Sequence, residues 1–433
     1  EPAKKGKRGK DEEEIPYSQA LREWAHCGES RKHVTSMMFF ARAARGIPAR
    51  RSDFDRDRSL LSVANGTLDL RKLTLRDHTP ADLITRIVPV SYDPQAKCPT
   101  WERFVSQSMM GNANLIAFLK RAAGLALTGN VSDEAVFLHH GNGNNGKGTF
   151  FQTMMKLLGE YAVPVTQSLL KSMSASDKAS PGQQAALAQL VGRRLAVVNE
   201  FAEGDTLDDG SLKTLGSKDE ISAKFMAGNF FRFAPSHHLH IMTNPVPSLR
   251  VVDRAIRRRL MPIHWSYEVP AEERDNDLDV KLAAELPGIL NWCIEGLRDY
   301  YAQGGLNPPQ EVLDERDRIL GESDTIGQFF VDCLTLHAAA KTLTPSDLHK
   351  AGYTVARSVL RAVYERWCVE EGSMPYGAQR FHRALVERGL KEHRTAADRF
   401  WAGATLTAKG QELARYKGVD PHKGKDASAH APN

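Results

Sequence analysis

The sequence predicts an α/β protein with a mostly parallel sheet, and three observations indicate it. Short apolar runs at 135–138, 195–198 and 238–243 have the length of buried strands. Segments with apolar residues at helical spacing separate these runs. The runs are apolar almost throughout rather than alternating, which is typical of parallel strands covered by helices on both faces.

Composition narrows the class of protein. The 433 residues suffice for two to three domains, and a net charge of +5 does not by itself indicate a nucleic-acid partner. The five cysteines show no CxxC spacing or Cys/His cluster, so we expect neither a zinc site nor disulfides. No apolar run is long enough to span a bilayer and the N-terminus lacks a signal-peptide core, so we expect a cytoplasmic chain without a membrane partner. The absence of an initial Met indicates a fragment of a longer protein.

The N-terminal part divides into a linker and a small region. Residues 1–15 change from a basic to an acidic run and are expected to be a flexible linker. Residues 16–98 form the predicted α+β accessory region, helical from Tyr17 to Arg45 and then with two short strands joined by an Asn-Gly turn. Asp55 and Asp57 could form an acidic metal-binding pair, but a solvated loop is the preferred interpretation.

The core is predicted over 99–306, and it begins with a helical lead-in. Apolar side chains of Trp101, Phe104 and Val105 share one helical face, and a second helix is expected from the N-cap Asn112 to Leu127.

A glycine-rich loop follows the run at 135–138, and its residues are Gly141, Asn142, Gly143, Asn144, Asn145, Gly146, Lys147, Gly148, Thr149 and Phe150. Glycines permit positive φ and bring backbone N–H groups towards phosphate oxygens, and the positive end of the next helix attracts the same charge. Lys147 adds a cation for the β- and γ-phosphates. A strand, this loop and a helix therefore predict a nucleoside triphosphate site, with an ordinary turn as the disfavoured alternative.

The metal ligands are less regular. The residue after the lysine is usually Ser or Thr, which ligates Mg²⁺, but here it is Gly148. We expect Thr149 to take over this role, or the metal to rely on carboxylates and water. Glu200, at the end of the next buried strand, is predicted to orient water and support Mg²⁺. Glu203 stays open between site and surface, and Asp205 is interpreted as surface.

Two further features point to phosphate chemistry. Asn244 ends the strand at 238–243, where its amide could touch the γ-phosphate or the attacking water, although Asn before Pro is also a turn signal. The arginines at 257–259 lie beside an apolar run and suggest a guanidinium that stabilises transition-state charge.

The order of five motifs resembles the superfamily 3 helicase domain of phage and plasmid primase-helicases. The motifs are GNGNNGKGTF at 141–150, RLAVVNE at 194–200, LKTLGSKDEISAKFM at 212–226, HLHIMTNPVP at 238–247 and DRAIRRRL at 253–260. With a similar stretch at 65–104, the resemblance covers most of residues 60–300. It implies an AAA+ P-loop core that uses ATP and Mg²⁺, forms rings that are commonly hexamers, and translocates on single-stranded DNA, typically 3′ to 5′.

The resemblance also implies residue roles. It places the phosphate loop at 141–149, the acidic strand end at Glu200 and the sensor at Asn244, and its paired arginines match Arg258 and Arg259, one of which completes the neighbouring subunit's site. The expected catalytic set is Lys147, Glu200, Asn244, Arg258 and Arg259. Which of the arginines 257–259 acts stays open. Alternation around Ala-Gly-Asn predicts a hairpin over 224–232. The resemblance places this hairpin in the ring channel, so that Lys224 and Arg232 contact DNA, with a solvated hairpin as the alternative.

Residues 307–416 form a third predicted region. Helices over 325–338, 355–370 and 377–388 precede a basic two-stranded element at 394–406, which suggests a winged-helix DNA-binding domain with Arg380 and Arg383 as contacts. A solvated helix or a protein-docking surface is the alternative. Residues 417–433 are expected to be a disordered tail.

The expected function is that of an ATP-dependent ring helicase acting on single-stranded and forked DNA in replication, in the bacterial host of a phage or mobile element. The alternative is a replication initiator that assembles on an origin under nucleotide control and unwinds little, which Gly148 and the winged helix favour. A small-molecule kinase is a distant third, since no acceptor-binding motif is present. The family often carries an upstream primase or polymerase domain. This chain lacks the acidic metal site of such a domain and is interpreted as the helicase half.

Overall fold

The protein is described by a computed structural model over residues 17–46, 48–173, 175–178, 180–202, 205–226, 228–249, 253–373, 375–396 and 398–415. The predicted linker at 1–15, the tail at 417–433 and Glu203 lie outside the described residues. None of the described helices has both the length and the apolar character needed to cross a membrane.

The N-terminal region has two helices and a three-stranded antiparallel sheet. The elements are α1 (Tyr17–Gly28), α2 (Arg31–Ala41), β1 (Leu60–Val63), β2 (Gly66–Asp69) and β3 (Thr74–Arg76). The helical stretch predicted from Tyr17 to Arg45 is therefore divided in two. The predicted turn is present but shifted by one residue, since Val63 pairs with Gly66 and the turn residues are Ala64 and Asn65. Asp55 accepts hydrogen bonds from the backbone and hydroxyl of Thr85, and Asp57 pairs with Arg71. Both carboxylates are therefore half-buried and bonded within the protein, rather than freely solvated as expected.

The central region contains the sheet that positions the candidate site. Its elements are, in order, α3 (Pro99–Ser108), α4 (Ala113–Leu125), β4 (Val136–His140), α5 (Lys147–Leu158), β5 (Ala162–Val165), α6 (Ala175–Lys178), α7 (Pro181–Ala188), β6 (Leu195–Asn199), β7 (Thr206–Leu207), α8 (Asp209–Leu215), β8 (Ile221–Lys224), β9 (Phe230–Phe233), β10 (His238–Thr243), β11 (Ser248–Leu249), α9 (Arg254–Arg259), β12 (Leu260–His264), α10 (Leu278–Ala284) and α11 (Leu286–Gln303). Five strands form one parallel sheet in the order β12-β4-β10-β6-β5. The predicted fold class is confirmed.

Successive side chains of each strand point to opposite faces of the sheet, and each face packs into its own buried cluster. Phe137 and Val197 pack into one cluster with α3, α4, α5 and α11, and this cluster includes Leu61 and Leu68 of the N-terminal sheet. Val136 and Val198 pack into the other cluster, against α8, α9 and α12 (Gln310–Ser323). Asn112 caps α4 as predicted, with its side chain accepting from the N–H groups of Asn114 and Leu115.

The C-terminal region has its own buried cluster, which includes Phe329, Trp367 and Trp401. Beyond α12 its elements are α13 (Thr325–Cys333), β13 (Leu334–Leu336), α14 (Pro345–Lys350), β14 (Thr354–Ala356), α15 (Arg357–Glu370), α16 (Ala378–Glu387), β15 (Lys391–Arg394), β16 (Arg399–Ala402), β17 (Ala404–Leu406) and α17 (Ala408–Arg415).

Two predicted helix boundaries in this region are wrong. The helix predicted over 325–338 ends at Cys333, because Leu334 begins a strand that pairs with Leu406. The helix predicted from Val355 begins at Arg357, because Val355 pairs with Trp401 in the sheet β14-β16-β15. The predicted two-stranded element is part of this larger sheet. In both places pairing with a distant strand outweighs local helix propensity.

Histidines are unusually prominent in the buried sheet. The indole N–H of Trp265 donates to Nδ1 of His139 at 3.1 Å, and Nε2 of His139 then donates to Nδ1 of His240 at 3.1 Å. Burial lowers the pKa of His139 to about 3 and that of His238 to about 3, and it lowers the pKa of His240 as well. The folded protein therefore holds these imidazoles neutral.

We expect the free energy of unfolding to fall as the pH drops from about 7 towards 5. Histidines in the unfolded chain take up protons below a pKa of about 6.5, which the buried ones cannot do, so each costs roughly 1.4 kcal/mol per pH unit. Urea unfolding at several pH values measures this slope. His240→Leu should reduce the slope by about one proton, and replacement of the exposed His26 by Gln is the control. An unchanged slope in His240→Leu would contradict the account.

Candidate nucleotide site at the carboxyl edge of the sheet

Three predicted site residues lie at the same edge of the parallel sheet. Gly141, Glu200 and Asn244 each follow the last residue of a neighbouring strand, namely β4, β6 and β10. The register aligns these ends, since His140 pairs with Thr243 and the N–H of Glu200 donates to the carbonyl of Met242 at 2.9 Å. This edge is where open α/β sheets bind ligands. Glu200 has a φ of 50°, which is uncommon for a residue with a side chain and turns the chain sharply at the edge.

The glycine-rich loop needs glycine at specific positions. Gly141 has a φ of 146°, and a Cβ there would lie 2.3 Å from the carbonyl oxygen of Trp265. Gly146 has a φ of 88° and directly precedes α5. The Asn145 amide donates to the same Trp265 carbonyl at 3.1 Å and also to the carbonyl of Asn142. These contacts fix the loop against the end of β12.

Lys147 is the most informative side chain of the site. It is 6% exposed, and its Nζ donates to the carbonyl of Gly141 at 2.7 Å. The structure shows no carboxylate paired with it among the described residues, and burial lowers its pKa to about 8. A buried ammonium group whose described acceptor is a neutral carbonyl suits a phosphate, which would supply the missing negative charge.

The position after the lysine is open. A Cβ built on Gly148 meets no atom within 4 Å, so space does not exclude a hydroxyl-bearing residue there. Thr149 is half-buried on the first turn of α5, and the Glu200 side chain is exposed at the sheet edge. Hydroxyl and carboxylate oxygens are the ligands that Mg²⁺ accepts, so Thr149 and Glu200 fit the predicted metal in chemical type.

Phe150 requires a correction. We expected it to line the nucleotide, but its ring is buried and lies 5.1 Å from that of Trp101 and 5.6 Å from that of Trp265. Its backbone N–H is used by the carbonyl of Gly146. Phe150 therefore anchors α5 to the core. Asn142, Gly143 and Asn144 are exposed in the loop.

The predicted arginines are not at this edge. Arg258 and Arg259 precede β12 and both contact Glu134, which precedes β4. They therefore lie one strand length, roughly 16 Å, from the glycine loop. The Arg259 side chain is 11% exposed against 64% for Arg258, and Arg257 pairs with Asp317 at 2.7 Å. Arg259 is thus held within its own chain, whereas Arg258 also contacts Glu134 but leaves most of its side chain exposed.

The predicted hairpin is present between β8 and β9, with Lys224 paired to Phe230 and Ser222 to Arg232. The hairpin precedes β10, so it leaves the amino edge of the sheet. Arg232 is exposed, and the ammonium of Lys224 lies 5.3 Å from the centre of the Phe230 ring. The structure places both residues away from the nucleotide edge.

Arg380 and Arg383 lie on α16 but face a cleft shared with the core. The guanidinium of Arg380 stacks 3.6 Å from the centre of the Tyr376 ring. Both arginines line a cleft of about 700 Å³ together with Asp209 and Asp253. Asp209 and Asp253 are themselves paired with Lys213, and the choice between a DNA contact, a solvated helix and a docking surface stays open.

Sequence reasoning missed two residues that hold predicted site residues in place. Trp265 holds the loop through its backbone carbonyl, and no sequence pattern reports a backbone acceptor. Glu134 receives both Arg258 and Arg259. Its position directly before a buried strand was the only available signal.

Comparison with known proteins finds two family models and several viral relatives that are similar to parts of the chain. A family described as "D5 N terminal like" matches residues 4–109, and a family of unknown function matches residues 139–259. The chain is 26% identical to "Putative helicase 022R" of Frog virus 3 (isolate Goorha), over 69% of this chain and 38% of that protein. It is 23% identical to "Putative helicase L207/L206" of Acanthamoeba polyphaga mimivirus, over 64% of this chain and 31% of that protein. The chain thus spans about a third of the length of these relatives.

Among solved structures, the apo C-terminal region of NrS-1 is similar to the chain, with 11% identity, 72% of this chain and 77% of that chain covered, and a TM-score of 0.42. This likeness is distant, and the fold assignment rests on the strand order and the glycine loop. The resemblance of the motifs to superfamily 3 helicases is confirmed by the family match and the helicase-named relatives. The winged-helix part stays a prediction.

We expect Gly141→Ala to weaken nucleotide binding by about tenfold or more. The alanine Cβ would collide with the Trp265 carbonyl and require a strained φ, at a cost of order 1–3 kcal/mol. Gly143→Ala is the matched control, because its Cβ meets no atom within 4 Å. Titration with a fluorescent ATP analogue measures both. Equal affinities for the two variants would show that the loop geometry does not govern binding.

Proposed function

We propose that the chain is an ATP-dependent DNA helicase, the helicase part of a longer replication protein, that acts as a ring of identical copies. The observation that carries the proposal is the buried Lys147 ammonium inside the glycine loop, at the same sheet edge as Glu200 and Asn244. The names of the viral relatives supply the helicase part of the proposal.

Each residue at the edge has a proposed task. The loop N–H groups and Lys147 neutralise the phosphates. The bound phosphates offset the free-energy cost of burying the Lys147 ammonium without a carboxylate. Glu200 accepts a hydrogen bond from the attacking water, and the amide of Asn244 donates to the γ-phosphate. Thr149 and Glu200 would hold Mg²⁺, which neutralises charge on the β- and γ-phosphates.

The site needs a second copy of the chain. A cation that stabilises the transferred phosphoryl group accelerates hydrolysis strongly, and no described arginine of the motif lies at the nucleotide edge of its own chain. We assign this task to Arg258 of a neighbouring copy, because it is the more exposed of the two arginines that contact Glu134. A ring, commonly a hexamer in the resembled family, supplies this arginine at every interface.

The DNA contacts extend the proposal. Lys224 and Arg232 on the hairpin would bind the phosphates of single-stranded DNA in the ring channel, and translocation would run 3′ to 5′. The C-terminal region, with its helices and antiparallel sheet, would act as a winged-helix domain on forked DNA. For Arg380 and Arg383 to bind DNA, α16 must leave the cleft that it shares with Asp209 and Asp253.

A replication initiator is the second candidate. Gly148 favours it, because a site without the usual hydroxyl after its lysine suits slow hydrolysis that controls assembly. The initiator would bind ATP and DNA but separate strands poorly without a partner.

The deciding test is displacement of a labelled strand from forked DNA with ATP. We expect wild type to displace the strand from a fork with a 3′ tail, and Lys147→Ala to lose at least about a hundredfold in rate, since it removes the phosphate-neutralising cation. Lys156→Ala, on the exposed side of the same helix, is the control. If DNA stimulates ATP hydrolysis but no strand is displaced, the helicase proposal is wrong and the initiator is the better candidate.

A further inference from the structure

A second charged cavity lies far from the nucleotide edge. It is a groove of about 720 Å³ between the N-terminal region and the base of the β8–β9 hairpin. We call it the arginine groove, because its walls include Arg51, Arg56, Arg58, Arg86 and Arg232. Four of these residues come from the N-terminal region, and the motifs of the core do not include them.

The groove carries excess positive charge. Its described lining contains two carboxylates, Asp55 and Glu220, against five arginines. Asp55 already receives Thr85 and Arg86. Arg58 donates to the carbonyls of Gly129 and Ala234, which leaves its charge unneutralised.

Two arginines are free to contact a ligand. Arg56 and Arg232 are exposed, and neither has a carboxylate partner among the residues that the structure describes. Burial lowers the pKa of Arg58, because the guanidinium is partly removed from water at the groove wall and has no counter-charge there. An anion in the groove would offset that cost.

Aromatic rings accompany the arginines. The Arg51 guanidinium lies 4.8 Å from the centre of the Phe225 ring and 4.6 Å from that of Phe231, so it joins the N-terminal region to the hairpin. Phe225 is 44% exposed and Phe230 is 64% exposed at the end of the hairpin. Apolar rings left in water beside a cationic groove are the combination that single-stranded nucleic acid uses, with phosphates in the groove and bases on the rings.

We infer that the arginine groove binds the phosphodiester backbone of single-stranded DNA and leads the strand from the N-terminal region to the hairpin. The choice of DNA as the ligand rests on the proposed function. The positive charge of the groove and the exposed rings beside it are observed independently of that proposal. The groove begins at Arg232 of the hairpin and extends the DNA path to the arginines of the N-terminal region, which gives this region a direct part in binding the strand.

The test is binding of a labelled oligothymidylate to the whole chain, without nucleotide, over a series of salt concentrations. Arg56→Gln should weaken binding several-fold and reduce the slope of log affinity against log salt by about 0.7, the value for one lost contact to a single strand. Arg56→Gln combined with Arg232→Gln should reduce it by about 1.4. Lys72→Gln removes one exposed charge outside the groove and is the matched control. Among the described residues Arg56 makes no side-chain hydrogen bond, ion pair or ring contact, so folding of its variant is expected and is checked by thermal unfolding.

Two further arms separate the sources of phosphate. A labelled duplex and inorganic phosphate are tested against the same variants, and we expect neither to depend on Arg56. An unchanged salt slope in Arg56→Gln would overturn the proposal even if the double variant lost the contact of Arg232, and so would equal dependence of duplex or phosphate binding on Arg56. This binding assay contains no nucleotide. Its outcome therefore does not depend on whether the chain displaces a strand in the earlier test with ATP.

Discussion

A lysine ammonium buried against a backbone carbonyl is the interaction on which the candidate site depends. Lys147 lies inside a loop that three features hold in place: the positive φ of Gly141, the positive φ of Gly146, and the bond of Asn145 to Trp265. Burial without a carboxylate costs free energy, which a bound anion would offset. The loop geometry, the lowered pKa of Lys147 and its position at the sheet edge all support the proposed phosphate site.

The parallel sheet separates two kinds of chemistry. Its carboxyl edge collects the loop, Glu200 and Asn244, while its amino edge bears Arg258 and the hairpin. Because parallel strands place all their ends of one kind together, the nucleotide edge and the arginine edge of one chain cannot meet. A second copy can bring them together. The same division separates the arginine groove from the candidate nucleotide site, so the proposed strand binding would be physically distinct from the proposed hydrolysis.

Local patterns predicted the local structure well. The strand, glycine loop and helix around Lys147, the cap at Asn112 and the hairpin over 224–232 depend on residues close in sequence, and these elements are present. The fold class followed from the apolar strand runs and is confirmed.

Features that depend on distant residues were not predictable. The end of α13 at Cys333 is set by pairing of Leu334 with Leu406, and the side of the core that Phe150 faces is set by Trp101 and Trp265. The arginine groove joins Arg56 to Arg232, which periodicity cannot bring together. The roles of Glu200, Asn244 and Arg258 came from the motif order, and they stay predictions.

The most direct measurement mixes two inactive variants. Lys147→Ala lacks its own nucleotide site but retains Arg258, and Arg258→Ala retains Lys147 but lacks the arginine for its neighbour. If copies complete each other's sites, each variant alone should hydrolyse ATP poorly, and their mixture should regain activity at interfaces that combine an intact Lys147 with an intact Arg258. Full activity of Arg258→Ala alone, or no recovery in mixed assemblies, would contradict a site shared between the two edges of the sheet.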